Sequence, residues 1–329
     1  MKPNRFTLTA AALASLMWLA SCTHEVDEAS DYQTNAIGFN STIFKQSRAL
    51  NSFEDLNKFF VYGTKDGSDH LFLGQPVSKS GDDWTYTYTG GKSKPKWEAG
   101  SRYIFFAYSS ENSTLAGSVS YDATNGLTFS GVTSGSEDNN ADLVYASRIE
   151  QVGLQTGNSR VPFSFKHILS QINVVFTNST TNSENVPYNV TVNSVSLNNH
   201  ELVGDFNGSA WSIANTSIAG DHVPFTFGTS TGSSAIALSQ TATTSPLFVI
   251  PQTTGDVTIL YNVTITNANN SADTTTKTWK ATFDASWLMG YRYNYNIPVA
   301  LTSDEYIEFT VSSLNGWEDG TTGQINSKK

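Results

Sequence analysis

The chain has 329 residues, a formal net charge of -10 at pH 7 and one cysteine. A nucleic-acid backbone would be repelled, and neither an intrachain disulfide nor a multi-thiolate metal site can form. The length suffices for one large or two ordinary β domains. With only 15% charged residues and abundant Thr, Ser, Asn, Gly and Tyr, strands and turns are favoured over helices.

Lys2 and Arg5 make a positive start, Leu8 to Ala20 is apolar, and small residues precede Cys22, the layout of a secretory signal over residues 1–21. The apolar run is too short to span a bilayer as a helix, and no second run of spanning length follows. Leu19-Ala20-Ser21-Cys22 resembles the lipobox of bacterial lipoproteins, in which the cysteine is acylated and becomes the first residue; the alternative is a cysteine there by chance. Acyl chains contribute roughly 0.8 kcal/mol per buried methylene, enough with several chains for a stable anchor.

Thr23 to Asn35 is polar and acidic and reads as a solvated tether. Next, Ile37, Phe39, Ser41 and Ile43 alternate with Gly38, Asn40 and Thr42, the period of a strand with one buried face. Lys45-Gln46-Ser47-Arg48 is turn-like. An exposed, extended arginine suits a trypsin-like protease, though any surface arginine in a loop looks the same.

Short strands are predicted at Phe59 to Gly63, Leu71 to Val77, Trp84 to Thr89, Tyr103 to Tyr108, Gly126 to Phe129 and Leu143 to Ala146, with a helical turn possible over Leu50 to Lys58. Turn chemistry separates them at Lys65-Asp66-Gly67, Ser80-Gly81-Asp82, Gly90-Gly91 and Ser134-Gly135-Ser136. This spacing implies a β sandwich. Gln151 to Arg160 is a Gly- and Asn-containing break, and the domain boundary is placed there, giving an N-terminal domain over 49–156 and a C-terminal one over 157–329.

The second half opens on the most hydrophobic strand, Val161 to Phe176, with Pro162 at its start, where a missing ladder donor is tolerated. Further strands are predicted at Tyr188 to Leu197, Ala210 to Ile213, Val223 to Phe227, Pro246 to Ile250, Val257 to Ile265, Thr278 to Phe283, Tyr291 to Val299 and Tyr306 to Val311. No helix-length period occurs in this half, which reads as a second sandwich.

No catalytic or metal constellation emerges, and no cofactor is implied. His24, His70, His167, His200 and His222 include no two at metal-ligand spacing on one element, and His200-Glu201 lacks the second histidine of a zinc helix. His167 reads as a hydrogen-bonded structural residue. Glu137-Asp138 and Asp82-Asp83 read as solvated turn acids. In Gly131-Val132-Thr133-Ser134-Gly135 the serine sits one place too late for a nucleophile elbow. Trp84, Trp97 and Trp211 would stack on sugars if exposed, but they read more simply as core or interdomain residues.

Taken together, several blocks resemble the fimbrillin family of Bacteroidales. They are the lipobox ending in Cys22; Ile37-Gly-Phe39 followed by Ser47-Arg48-Ala49; Phe59-Phe-Val-Tyr-Gly63; Tyr103-Ile-Phe-Phe-Ala-Tyr108; Asp142-Leu-Val-Tyr-Ala146; Phe165-Lys-His-Ile-Leu-Ser-Gln-Ile172; Phe248-Val-Ile-Pro-Gln252; Trp287-Leu-Met-Gly-Tyr-Arg-Tyr293; and Val311 through Trp317-Glu-Asp-Gly320. Their order and spacing carry the likeness.

The resemblance implies an all-β protein of two tandem transthyretin-like β sandwiches, exported to the cell outer membrane as a lipoprotein and passed from there to a surface fimbrium. It implies lipidation of Cys22, a cut by an Arg-specific protease between Arg48 and Ala49, and assembly with other pilus subunits by donor-strand exchange. Residues 22–48 would then be a tether and removable strand, with Ile37, Phe39 and Ile43 as its plug, worth roughly 1.5 to 3 kcal/mol for each buried side chain. Exchange of this kind is β-augmentation at a sheet edge.

Stalk subunits of the family end in a donor extension, whereas Glu318 to Lys329 here has Ile325 as its sole apolar residue. Either Tyr306 to Val311 doubles as the donor, or the chain is a tip or accessory subunit; the second is preferred. The alternative function from another class is an outer-membrane surface lipoprotein that binds glycans.

Overall fold

The structure, a computed structural model, describes residues 35–43, 56–90, 93–110, 115–136, 138–213, 223–224, 235–301, 306–311 and 323–326. These residues form strands, turns and extended links, with no helix among them, in keeping with a sequence that alternates β-branched and aromatic side chains with polar ones. In the first part of the chain the strands are β1 (Phe39–Ile43), β2 (Lys58–Lys65), β3 (Asp69–Ser80), β4 (Asp83–Thr85), β5 (Arg102–Ser109), β6 (Ser118–Asp122), β7 (Gly126–Thr133), β8 (Val144–Val152) and β9 (Val161–His167). In the remainder they are β10 (Ser170–Asn178), β11 (Tyr188–Asn198), β12 (Val203–Phe206), β13 (Trp211–Ile213), β14 (Val223–Pro224), β15 (Thr241–Thr243), β16 (Leu247–Val249), β17 (Gln252–Asn267), β18 (Asn270–Trp287), β19 (Arg292–Val299), β20 (Tyr306–Val311) and β21 (Gly323–Asn326).

A seven-stranded sheet in the order β1-β9-β8-β5-β2-β3-β4 forms the front of the molecule. Every neighbouring pair is antiparallel except β1 and β9, which run parallel with Phe39 opposite Val161 and Ile43 opposite Phe165. The sheet curls, so that its edge strands β1 and β4 approach one another. Its inner face closes on an apolar core containing Phe39, Phe59, Phe72, Phe105 and Phe163.

The outer face is covered as well. Ile104, Phe106 and Tyr108 of β5 pack with Leu127, Phe129 and Phe206 of a four-stranded sheet in the order β13-β12-β7-β6. A strand buried on both faces reads as a continuous apolar run rather than an alternating one, which is why Tyr103 to Tyr108 contains no polar residue.

The remaining strands make a sandwich. One sheet has the path β15-β10-β19-β20-β21, with β16 also on β10, and the other has the order β14-β11-β17-β18. Alternate residues such as Val174, Phe176, Tyr295 and Ile297 meet Val190, Ile259, Val263 and Phe283 in the shared core.

Two features depart from the expected layout. The run Val161 to Phe176 is two strands, β9 in the front sheet and β10 in the rear sandwich. Ile168 and Leu169 between them are themselves buried, with Phe248 and Ile250 nearby, so the apolar pattern has no gap to mark the break. The front sheet accordingly extends to His167, past the expected boundary at residue 156. In addition, β12 and β13 come from the second half yet pair with β7 of the first, with Val203 opposite Thr133 and Phe206 opposite Phe129. Of the predicted helical turn, Leu56 is buried and Lys58 begins β2, while residues 50–55 lie outside the described residues.

Candidate functional site

Residues 35–43 are seated in a slot between β9 on one side and, on the other, the segment that leads from β4 to Trp97. The segment is pinned at its start. Asn35 adopts a left-handed conformation (φ 59°), which asparagine tolerates better than most residues. Its side-chain amide donates to the carbonyls of Trp97 (2.9 Å) and Gln155 (3.3 Å) and accepts from Asn158 Nδ2 (2.7 Å). Asn35 was predicted to end a solvated tether; it is a partly buried anchor instead, because its polar groups are matched within the protein.

The backbone then changes partner. Trp97 N–H donates to the Asn35 carbonyl (3.0 Å) and Ile37 N–H to that of Pro95 (2.9 Å), whereas the Gly38 carbonyl accepts from Val161 N–H (2.9 Å). Beyond Gly38 the ladder belongs to β9. Ile37 and Phe39 both enter the core, as the alternation predicts. Ile37 and Phe39 are fully buried and Asn40 is exposed.

The Phe39 ring lies edge-on to Phe72 (5.2 Å between centroids) and Phe105 (6.0 Å), tilted to Tyr86 (5.5 Å) and stacked on Phe163 (5.8 Å). Such pairs are each worth about 0.5 to 1.5 kcal/mol beyond area burial. Burial of Ile37 and Phe39 adds about 1.5 to 3 kcal/mol each. Of Ile43 only the backbone, opposite Phe165, is described.

Three contacts that local sequence patterns do not signal complete the slot. Tyr86 Oη donates to the Ile37 carbonyl (2.6 Å), and Lys94 Nζ lies over the same ring, 4.8 Å from its centroid. Arg160 Nη1 donates to the Trp84 carbonyl (3.1 Å). The alternation of Trp84, Tyr86 and Tyr88 marks an inward face, but not which residue they meet.

Cys22, Arg48 and Ala49 lie outside the described residues. Arg48 falls in the stretch between Ile43 and Leu56, which joins β1 to the rest of the sheet.

The other residues singled out are placed in structural settings. His167 Nδ1 is 2.6 Å from Asp142 Oδ2, both buried, and Asp142 also accepts from Leu143 N–H (2.7 Å). This pair secures the junction of β8 with β9. His200 is buried against Trp287, its Nε2 2.9 Å from the Gly135 carbonyl, and burial pushes its pKa down to about 4. His70 sits edge-on to Tyr121, while His24 and His222 are outside the described residues.

Among the described residues no group of three or more His, Cys, Asp or Glu side chains could hold a metal ion. Trp84 and Trp97 are buried, Trp84 against Phe59 and Trp97 against Tyr103. The half-buried Trp211 donates its Nε1–H to the Ile168 carbonyl (2.5 Å). None of the three is a free stacking platform.

A family model described as fimbrillin-like matches residues 47–317. No curated protein matches the chain. Among solved structures, a fimbrial protein from Bacteroides vulgatus ATCC 8482 is 16% identical, with a TM-score of 0.58 over 88% of this chain and 99% of that one. A candidate cell adhesion protein from Bacteroides ovatus ATCC 8483 is also 16% identical, with a TM-score of 0.49 over 87% of this chain and 99% of that one. The first likeness shows a shared fold.

Proposed function

The chain belongs to the fimbrillin-like family, and from that premise we propose that it is a tip or accessory subunit of a surface fimbrium, assembled by strand exchange and supporting cell adhesion. In this reading Cys22 is acylated and holds the precursor to the outer membrane. An Arg-specific protease cuts between Arg48 and Ala49, residues 22–48 leave, and a strand from a neighbouring subunit takes their place.

One observation carries the reading. Residues 39–43 join the front sheet through β9, residues 35–37 bond to the backbone of residues 95–97, and the stretch containing Arg48 is what joins the segment to β2. A cut there severs that covalent link while leaving every strand pairing from β2 onward intact. The slot is lined by Phe72, Phe105 and Phe163, an apolar trough that a new strand would refill by main-chain pairing and alternate side chains. The preference for an accepting role rests on β20, which is already paired with β19 and with β21. Donation of that strand would first cost both pairings.

Treatment of the purified precursor with an Arg-specific protease is expected to yield one stable product beginning at Ala49. That product should release residues 22–48 when challenged with a peptide copy of them. Arg48→Ala is expected to fold normally and resist the cut. Surface-assembled, processed protein from the Arg48→Ala variant would overturn the site assignment.

A further inference from the structure

Gly38 does not owe its place to backbone conformation, for its φ is outside the left-handed region. Its side-chain position faces away from Ile37 and Phe39, toward Arg160. A Cβ built on Gly38 would lie 3.1 Å from Arg160 Cγ, 3.6 Å from Cδ and 3.7 Å from Nε. Arg160 immediately precedes β9, one bank of the slot, while its guanidinium reaches the Trp84 carbonyl in β4, the other bank. The side chain therefore passes directly over the backbone of the strand in the slot.

A free arginine would swing aside from a methyl group at little cost. This one is held at its far end, so the few tenths of an ångström that a Cβ at Gly38 requires are taken against the bond to Trp84. We propose that Arg160 is a latch across the slot and that it selects, in any strand that replaces residues 35–43, a glycine flanked by large apolar residues at the places of Ile37 and Phe39. This inference rests on the strand-exchange reading. It adds a rule for which strands are accepted: apolar, glycine, apolar, with the next position open to solvent as Asn40 is.

Valine is the discriminating substitute, because it favours extended backbone more than glycine does. An unobstructed slot would prefer it. In the uncut, full-length protein, Gly38→Val is expected to lower the melting temperature by several degrees. The same change in an Arg160→Ala background should leave it unchanged or raise it. An equal drop in both backgrounds overturns the latch. Should Gly38→Val fail to fold, Gly38→Ala makes the same comparison.

The second measurement uses the Arg-protease-treated protein and labelled peptides of residues 35–44 carrying glycine or valine at position 38. Wild type is expected to capture the glycine peptide about tenfold better, and Arg160→Ala to lose the preference. Equal capture by wild type overturns the selection and leaves strand exchange standing. Capture of neither peptide overturns strand exchange and, with it, the selection.

Discussion

The phenolic hydroxyl of Tyr86 donates a 2.6 Å hydrogen bond to the carbonyl oxygen of Ile37, inside the apolar core of the front sheet. That carbonyl falls where residues 35–43 exchange Pro95 for Val161 as main-chain partner. Tyr86 thus satisfies an acceptor at the point where the ladder changes hands.

Tyr86→Phe keeps the ring and removes the donor. Leaving a buried carbonyl without this partner costs about 1 to 3 kcal/mol. Thermal unfolding of the intact protein should shift down accordingly, and after cleavage at Arg48 the front segment should be displaced faster by a competing peptide. An unchanged displacement rate would mean that Tyr86 does not hold the segment.

Phe39→Ala removes the ring around which Phe72, Tyr86, Phe105 and Phe163 are gathered. A loss of about 3 to 5 kcal/mol is expected for a truncation of this kind. Asn40→Ala, one residue on and exposed, should stay within about 0.5 kcal/mol of wild type. Chemical denaturation of the two variants side by side tests the alternation.

Phe206→Ala tests the shared sheet. Phe206 stacks on Phe129 (5.7 Å) and meets the edge of Tyr145 (5.5 Å), so a residue of the second half completes the packing of the first. Its truncation, at about 3 to 5 kcal/mol, should lower the unfolding of both halves together. Two calorimetric transitions, with only the later part of the chain affected, would count against this packing.

His200 predicts an acid sensitivity with a defined window. Burial depresses its pKa from 6.5 to about 4, so the unfolded chain binds a proton that the native state refuses. Stability is therefore complete above pH 6.5 and declines as pH falls toward 4. At about 1.4 kcal/mol per pKa unit the full effect is roughly 3 kcal/mol. Glu150, held at about 2 by hydrogen bonds from Arg102 and Arg148, acts in a lower window, between 4.5 and 2. Denaturation midpoints at pH 7 and pH 4.5 should diverge more for wild type than for His200→Gln.

Much of the fold was legible because its strands are short, aromatic and separated by turn chemistry. Asp66 (φ 51°) and Gly67 (φ 81°) take left-handed conformations in the turn read from Lys65-Asp66-Gly67, which these residues tolerate. Val203-Gly-Asp-Phe206 was not legible, since Gly and Asp read as loop. It is a strand because β7 offers an edge, and because Asp205 Oδ1 accepts the Gly131 N–H at 2.7 Å. The break between β9 and β10 was hidden by the burial of Ile168 and Leu169. In the slot, the period of two exposed the roles of Ile37 and Phe39, but Tyr86 and Arg160 carry no local mark, since their partners are distant in sequence.

The strand that walls the slot is also the strand that leads out of the front sheet. From β9, Ile168 and Leu169 pass the chain straight to β10, which lies between β15 and β19 in the rear sandwich. A pull on whatever fills the slot would run through the parallel ladder into Val161–His167 and then along covalent bonds to the far end of the molecule. That path reaches the rear sandwich without passing through β2 or β3.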